Sequence, residues 1–169
     1  PQSFGNFLRI RIFDKVPFKN VYYLNGHATD LEEECTRYTS LLSQFPTDIV
    51  CLGIGENGHI AFNDPDVANF NDHKLVKIVK LDHVCRQQQV NEKCFETLEQ
   101  VPTEALTLTI PALLKAKWMF CIVPFKNKAQ AVYRTIHGDI SEKCPASILR
   151  RKEKSSLYLD TESAQLLNL

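Results

Sequence analysis

Apolar positions recur along this chain with two periods, and the alternation between them predicts its elements. Phe4, Phe7, Leu8, Ile10 and Phe13 fall close to helical spacing and predict a helix over residues 3–14. Leu31, Cys35, Tyr38, Leu41 and Leu42 form a second helical stripe, with Asp30 as its N-cap and Glu33 as the capping-box partner. Between them, Asn20–Leu24 reads as a strand ended by the turn pair Asn25-Gly26. Asp48–Leu52 is a short apolar run and reads as a buried parallel strand. Residues 74–81 mix apolar and basic positions as a half-exposed strand does.

The second half continues the alternation. A helix is expected from Asp82 to about Asn91, a strand over Ala105–Ile110, and a short helix opened by Pro111 through Lys115. Trp118–Val123 reads as an apolar strand and Lys126–His137 as a helix closed by Gly138. Pro145–Arg150 predicts a short helix, Leu157–Leu159 a strand and Thr161–Leu167 a terminal helix. Strands alternating with helices predict an α/β fold, doubly wound, with a mostly parallel open sheet and helices on both faces. No repeat or linker interrupts the pattern, so residues 1–169 are expected to form a single domain.

Composition narrows the partners. Twenty basic and twenty acidic residues leave no net charge, so neither nucleic acid nor an anionic membrane is implied. No run approaches the roughly 18 apolar residues of a membrane span, and no basic-then-apolar leader opens the chain. The cysteines, at 35, 51, 85, 94, 121 and 144, include no Cys-x-x-Cys pair. Cys51 and Cys121 lie inside apolar runs, where a reduced cysteine behaves as a small hydrophobe. Neither a disulfide framework nor a metal site is expected, and the compartment predicted is the reducing cytoplasm. The chain opens on Pro1-Gln2-Ser3-Phe4, without an initiator Met or a strand ahead of the first helix, as a processed or truncated chain would.

The chemistry concentrates after the Asp48–Leu52 strand, in Gly53-Ile54-Gly55-Glu56-Asn57-Gly58-His59-Ile60-Ala61-Phe62-Asn63-Asp64-Pro65. In open α/β sheets ligands sit beyond the carboxyl ends of the strands. Glycines such as Gly55 and Gly58 let the backbone approach a ligand closely. His59 is the candidate acid–base group, since an imidazole titrates near neutral pH. Asp64 can return to the ring and fix its tautomer; read alone, it is a turn residue before Pro65. Asn57 can donate to a substrate oxygen or hold the loop, and Glu56 reads as a solvated turn carboxylate.

This Gly-x-Gly-x-Asn-Gly-His-Ile-Ala-Phe-Asn-Asp-Pro segment resembles the active-site signature of glucosamine-6-phosphate deaminases (isomerases). Pro1-Gln2-Ser3, Leu24-Asn25-Gly26, the Asp30–Cys35 helix start and Val101-Pro102 with Ala105-Leu106-Thr107 fall in the same order as in that family. The resemblance implies conversion of glucosamine 6-phosphate to fructose 6-phosphate and ammonia, with no cofactor and no metal. It implies that His59 moves the proton that opens the sugar ring, flanked by Asn57 and Asp64. Lys128 sits where the family has a lysine for the substrate phosphate; without the family it reads as a solvated helix lysine. Arg86 is a second phosphate or substrate ligand or, alternatively, half of a surface ion pair. Arg150 belongs to a segment that reads as structural. A cytoplasmic homo-oligomer is implied too.

Three departures accompany the resemblance. Asp64 stands where the family usually has the longer Glu. The basic residues that bind an allosteric sugar in some deaminases do not align with Leu75–Lys80, so no such regulation is expected. The family's phosphate-wrapping loop and the Asp that removes the C2 proton fall ahead of Pro1, so the Rossmann-like sheet is expected to lack its first strand–helix units. Without that base, typically worth ~10²–10⁴-fold, little turnover is expected of the 169 residues alone. Two other functions remain open at this point. A 6-phosphogluconolactonase shares the loop, but its histidine is typically followed by a Thr-Ala-Ser-Leu-Phe-Pro-like segment rather than Ile60–Pro65. A sugar-phosphate-sensing domain is the third reading, and no helix-turn-helix or basic arm supports it.

Overall fold

The computed structural model describes residues 3–168, so Pro1 and Gln2, which contribute to the resemblance, lie outside the described residues. Helix α1 (Phe4–Leu8), capped by the Ser3 hydroxyl, widens into a π-helical turn over Arg9–Phe13 and buries none of its residues. Helix α2 (Leu31–Gln44) starts as expected, with one Asp30 oxygen accepting from the amides of Glu32 and Glu33, both at 2.9 Å. Three glutamates in its first turn add favourable charge at the positive end of the helix.

Strand β1 (Ile49–Leu52) pairs parallel with β4 (Trp118–Val123), which pairs parallel with β5 (Ser155–Leu159), in the order β1-β4-β5. The expected parallel sheet is therefore three-stranded among the described residues. A second, antiparallel pair stands apart from it: β2 (Val76–Lys80) with β3 (Glu104–Leu108). Helix α3 (His83–Asn91) and a 3-10 turn over Leu98–Gln100 connect those two strands. Helix α4 (Ile110–Leu114) leads to β4, a 3-10 turn over Lys126–Lys128 leads to α5 (Ala129–His137), and a 3-10 segment, Pro145–Arg151, precedes β5.

Several expectations need correction. Asn20–Leu24 pairs with no strand among the described residues: the carbonyls of Tyr22 and Tyr23 accept from the side chains of Tyr38 and Arg37. Thr161–Leu167 folds as consecutive turns rather than a helix. Among the described residues, the β1 run, expected to be buried, is the edge of the three-stranded sheet, with Ile49 and Cys51 exposed. Apolarity marks a strand, but its place in the sheet decides which faces are covered.

The core lies where β4 meets α4, α5 and the 3-10 segment. Met119, Cys121 and Val123 point into it from β4, with Ile110, Leu113, Val132, Ala146 and Ile148 around them. Complete burial of side chains such as Met119 and Ile110 stabilises the fold by about 1.5–3 kcal/mol each. Ile54 and Ile60 join the same cluster, so the glycine–histidine loop is anchored in the core at both ends.

Candidate active site

The loop leaves the carboxyl end of β1 and closes on itself. The Gly55 amide donates to the His59 carbonyl and the Gly58 amide to the Gly55 carbonyl, both at 2.9 Å. Gly58 has φ +91°, and a Cβ there would lie 2.8 Å from the Cys144 sulfur. Only glycine fits that conformation and that space. The Ala146 amide donates to the Gly58 carbonyl at 2.9 Å, which pins the loop to the 3-10 segment. Downstream, Ile60 bridges to Asn63 around Ala61, a left-handed residue with φ +51°.

The antiparallel pair β2–β3 braces this loop. Thr107 of β3 accepts from the Phe62 amide at 3.0 Å, and buried Asn63 donates to the carbonyls of Ile60 and Leu108. The chain leaving β2 delivers Asp82, the N-cap of α3, to the same place. The contacts with Thr107 and Leu108 span 45 positions of sequence and that of the Asp82 amide with Asp64 spans 18, and no local pattern announces them.

Asn57, His59 and Asp64 come together as the sequence suggests. His59 Nδ1 lies 2.8 Å from Asn57 Oδ1 and 2.9 Å from Asp64 Oδ1. Asn57 Nδ2 donates to Asp64 Oδ1 at 3.0 Å and to Asp82 Oδ2 at 2.9 Å, while its Oδ1 accepts from the His59 amide at 3.0 Å. That network fixes the orientation of the amide: a flipped Asn57 would turn its oxygen toward two carboxylates and its NH2 toward an N–H donor. Both neighbours of Nδ1 are then acceptors, so Nδ1 carries the proton and Nε2 keeps the free lone pair. The ring lies directly against Gly55, where a Cβ would come within 2.1 Å of His59 Cε1.

Burial pushes the Asp64 carboxyl up, but hydrogen bonds from His59 and Asn57, the field of the histidine and the Asp82 amide together hold it below the ordinary carboxylate value. Asp64 is thus a buried anion ready to stabilise a protonated imidazole. Cys85, fully buried beside it, is the opposite case: burial first, then the nearby Asp64 and Asp82 charges, push its thiol up to about 12. His59, Asp64 and Cys85 have the ligand types of a metal site, with ligand atoms within 4.8 Å of one another. The proton between His59 Nδ1 and its acceptors occupies that space, and a cation there would displace the contact that orients the ring.

Lys128 is buried at the start of α5, close to the carboxyl end of β4, with its Nζ 3.5 Å from Glu92 Oε1. It is not the solvated lysine that the helix pattern alone suggests. Glu92 also accepts from Gln88 Nε2 at 2.7 Å, and Gln88 Oε1 accepts from the Glu56 amide at 3.2 Å. Glu56 is a junction rather than a solvated carboxylate: Asn127 donates to its side chain at 2.7 Å and Arg134 to its carbonyl at 3.2 Å. Lysine and histidine loop are thereby tied together. Arg86 is used differently, donating to the carbonyls of Leu98 and Val101 at 2.6 and 3.1 Å and clamping the 3-10 turn to α3. Arg150 donates to the Ile136 and Gly138 carbonyls, closing the end of α5. A cleft of about 820 Å³, lined by Val90, Lys93, Cys94, Phe95, Glu96 and Gln100, includes none of the hydrogen-bonded cluster. The cluster's chemistry, not the size of that cleft, locates the candidate site.

Sequence reasoning missed Asp82, Gln88 and Glu92 as members of this site. Asp82 was legible only as a helix start, and nothing local to Glu92 points toward Lys128.

A buried, tautomer-locked histidine on a glycine loop beyond a parallel strand, linked to a buried lysine beyond the neighbouring strand, marks this as an α/β protein with a polar cluster at the carboxyl ends of its sheet strands. Residues 1–158 match the model of the family described as glucosamine-6-phosphate isomerases/6-phosphogluconolactonase, and the chain belongs to that family. It is similar to the glucosamine-6-phosphate deaminases of Bacillus cereus (strain B4264), 43% identical over 164 residues, and Bacillus cytotoxicus, 42% identical over 164 residues. Each match covers 97% of this chain and 61% of the relative, so the chain spans about three fifths of the length of these curated relatives. A monomeric glucosamine-6-phosphate deaminase of known structure superposes with a TM-score of 0.91 at 36% identity, over 98% of this chain and 68% of that one. The 6-phosphogluconolactonase of Trypanosoma cruzi, 17% identical with a TM-score of 0.72 over 99% of this chain and 67% of that one, shares the fold.

Proposed function

We propose that this chain carries the ring-opening and phosphate-binding parts of an enzyme that converts glucosamine 6-phosphate to fructose 6-phosphate and ammonia. The observation that carries this reading is the pair of acceptors on His59 Nδ1, which leaves Nε2 as the atom free to move a proton. Nε2 takes the proton of the C1 hydroxyl and returns one to the ring oxygen. The C1–ring-oxygen bond breaks, a C1 carbonyl forms, and no net proton is consumed. While the imidazole holds the proton it is a cation, and the buried carboxylate of Asp64 stabilises it.

Lys128 and the amino end of α5 bind the 6-phosphate. Gly55 and Gly58 keep the loop flat beneath the sugar, while Arg86 supports the site indirectly by holding the turn after α3. The later steps, proton transfer from C2 to C1 and hydrolysis of the resulting imine, need a C2 base that none of the matched positions supplies. The relatives' names and the Ile60–Pro65 segment favour the deaminase over the lactonase.

The reading is tested by following ammonia release from glucosamine 6-phosphate, on this chain and on a version extended to the length of the Bacillus relatives. Release by the extended protein that disappears in His59→Ala is the expected result. Calorimetry should show the sugar phosphate binding to the wild type and not to Lys128→Ala. No binding, or equal binding by both, would overturn the assignment, and lactone hydrolysis instead would favour the lactonase. Light scattering on the extended protein decides the oligomeric assembly that the resemblance implies.

A further inference from the structure

We infer that Asp82 is a positioning residue for His59, acting through Asn57, and that this role is why the α3 N-cap is an aspartate. Its two carboxylate oxygens have different tasks. Oδ1 accepts from the Cys85 amide at 2.6 Å and caps α3, while Oδ2 accepts from Asn57 Nδ2 at 2.9 Å. The Asp82 amide, 3.4 Å from Asp64 Oδ2, reaches the other arm of the triad. Asp82 thus touches both groups that hold the imidazole, from an element 23 residues beyond His59 in the chain.

As helix caps, Asp, Asn and Ser are nearly equivalent. As partners for Asn57 they are not. An asparagine at 82 that used its oxygen for the helix would turn an NH2 toward the NH2 of Asn57, and a serine has no second acceptor to reach it. Only a carboxylate accepts at both oxygens. With that acceptor in place, Asn57 is held by two carboxylates on one side and by His59 on the other, and it has one orientation. Without it, the Asn57 NH2 keeps a single acceptor, Asp64 Oδ1, an oxygen that His59 Nδ1 also faces. The ring then loses a fixed direction for Nε2.

The kinetic consequence rests on the amino-sugar-phosphate reading; the structural one does not. The test uses Asp82→Asn and Asp82→Ser in the full chain, both able to cap α3. The first readout is the His59 Nδ1–H resonance, observed by NMR with ring-nitrogen labelling at a pH where the imidazole is neutral. In the wild type it should be sharp and slow to exchange with water. Both variants should keep the wild-type far-UV circular dichroism yet broaden or lose this resonance. In the extended protein, kcat should fall about tenfold or more with KM nearly unchanged, the signature of a displaced reacting group. A wild-type Nδ1–H resonance in both variants would reduce Asp82 to a helix cap and overturn the proposal. Unfolding of both would also overturn it, by placing the role in the fold. If the NMR change appears while no protein turns over the sugar, the positioning stands and the substrate reading fails.

Discussion

Gly55→Ala isolates the contact between the loop and the histidine ring. A Cβ at residue 55 would stand 2.1 Å from His59 Cε1, 2.3 Å from Nδ1 and 2.4 Å from Nε2, whereas ordinary contact begins at 3.4 Å. Gly55 is not in the left-handed region, so alanine meets no backbone strain there. By itself the substitution should stabilise, by about 0.4–1 kcal/mol, because alanine restricts the unfolded chain. The steric effect works against this. The ring must retreat by more than an ångström, and retreat stretches the 2.8 and 2.9 Å contacts of Nδ1 with Asn57 and Asp64. A hydrogen bond to a charged group is worth about 1.5–3 kcal/mol, and overpacking costs about 1–3 kcal/mol more. These terms overlap, so a net destabilisation of roughly 2 kcal/mol is expected, lowering Tm by roughly 4–8 °C for a chain of this size. Misplacing a reacting group by ~1 Å costs about 10²-fold in rate. Differential scanning calorimetry on the chain and ammonia release on the extended protein give the two readouts. A Tm equal to or above that of the wild type would refute the steric reasoning, because it would mean that the ring gives way at no cost.

Gly58→Ala should also destabilise, for a different reason: it combines a backbone at φ +91° with a Cβ 2.8 Å from the Cys144 sulfur. The loss in urea denaturation should be about 1–3 kcal/mol, and adding Cys144→Ala should recover only the steric part. Asp64, held below the ordinary carboxylate value, contributes stability that is complete above its unfolded pKa of ~3.9 and fades as pH falls through that value toward the folded one. The urea midpoint of Asp64→Asn should therefore lie below that of the wild type at about pH 5, and the margin should shrink by about pH 3; an undiminished margin in acid would contradict the sign. Glu92 competes with any incoming anion for Lys128, from 3.5 Å. Glu92→Gln keeps an acceptor for Gln88 but removes the charge, so KM for the sugar phosphate should fall several-fold with kcat unchanged, and an increase in KM would show that Glu92 helps to bind the substrate.

Helix α2 was legible because its signals are local: Asp30 satisfies the amides two and three residues ahead of it, and the apolar stripe repeats within fourteen residues. The glycine–histidine loop was legible for the same reason, since Asn57, His59 and Asp64 lie within eight consecutive residues and meet by turning back on themselves. Residue types and spacing offered His59 with Asp64 as a possible partner or turn residue, and the family resemblance implied the full triad.

What the sequence could not decide was pairing between distant segments. Residues 74–81 and Ala105–Ile110 read correctly as strands, but a hydrophobic pattern carries no information about which partner a strand takes, and the tertiary structure made them an antiparallel pair outside the parallel sheet. Asn20–Leu24 has strand composition and no ladder among the described residues, because a strand exists only where another backbone accepts its hydrogen bonds. That antiparallel pair in turn positions Thr107, Asp82 and, through α3, Glu92 around the loop. The sequence by itself brought out the glycine–histidine loop, with His59 as its candidate acid–base group. The tertiary structure decided how the ring is aimed and which charge waits beside Lys128, because both depend on hydrogen bonds and ion pairs across 25 or more residues, where local pattern carries no force.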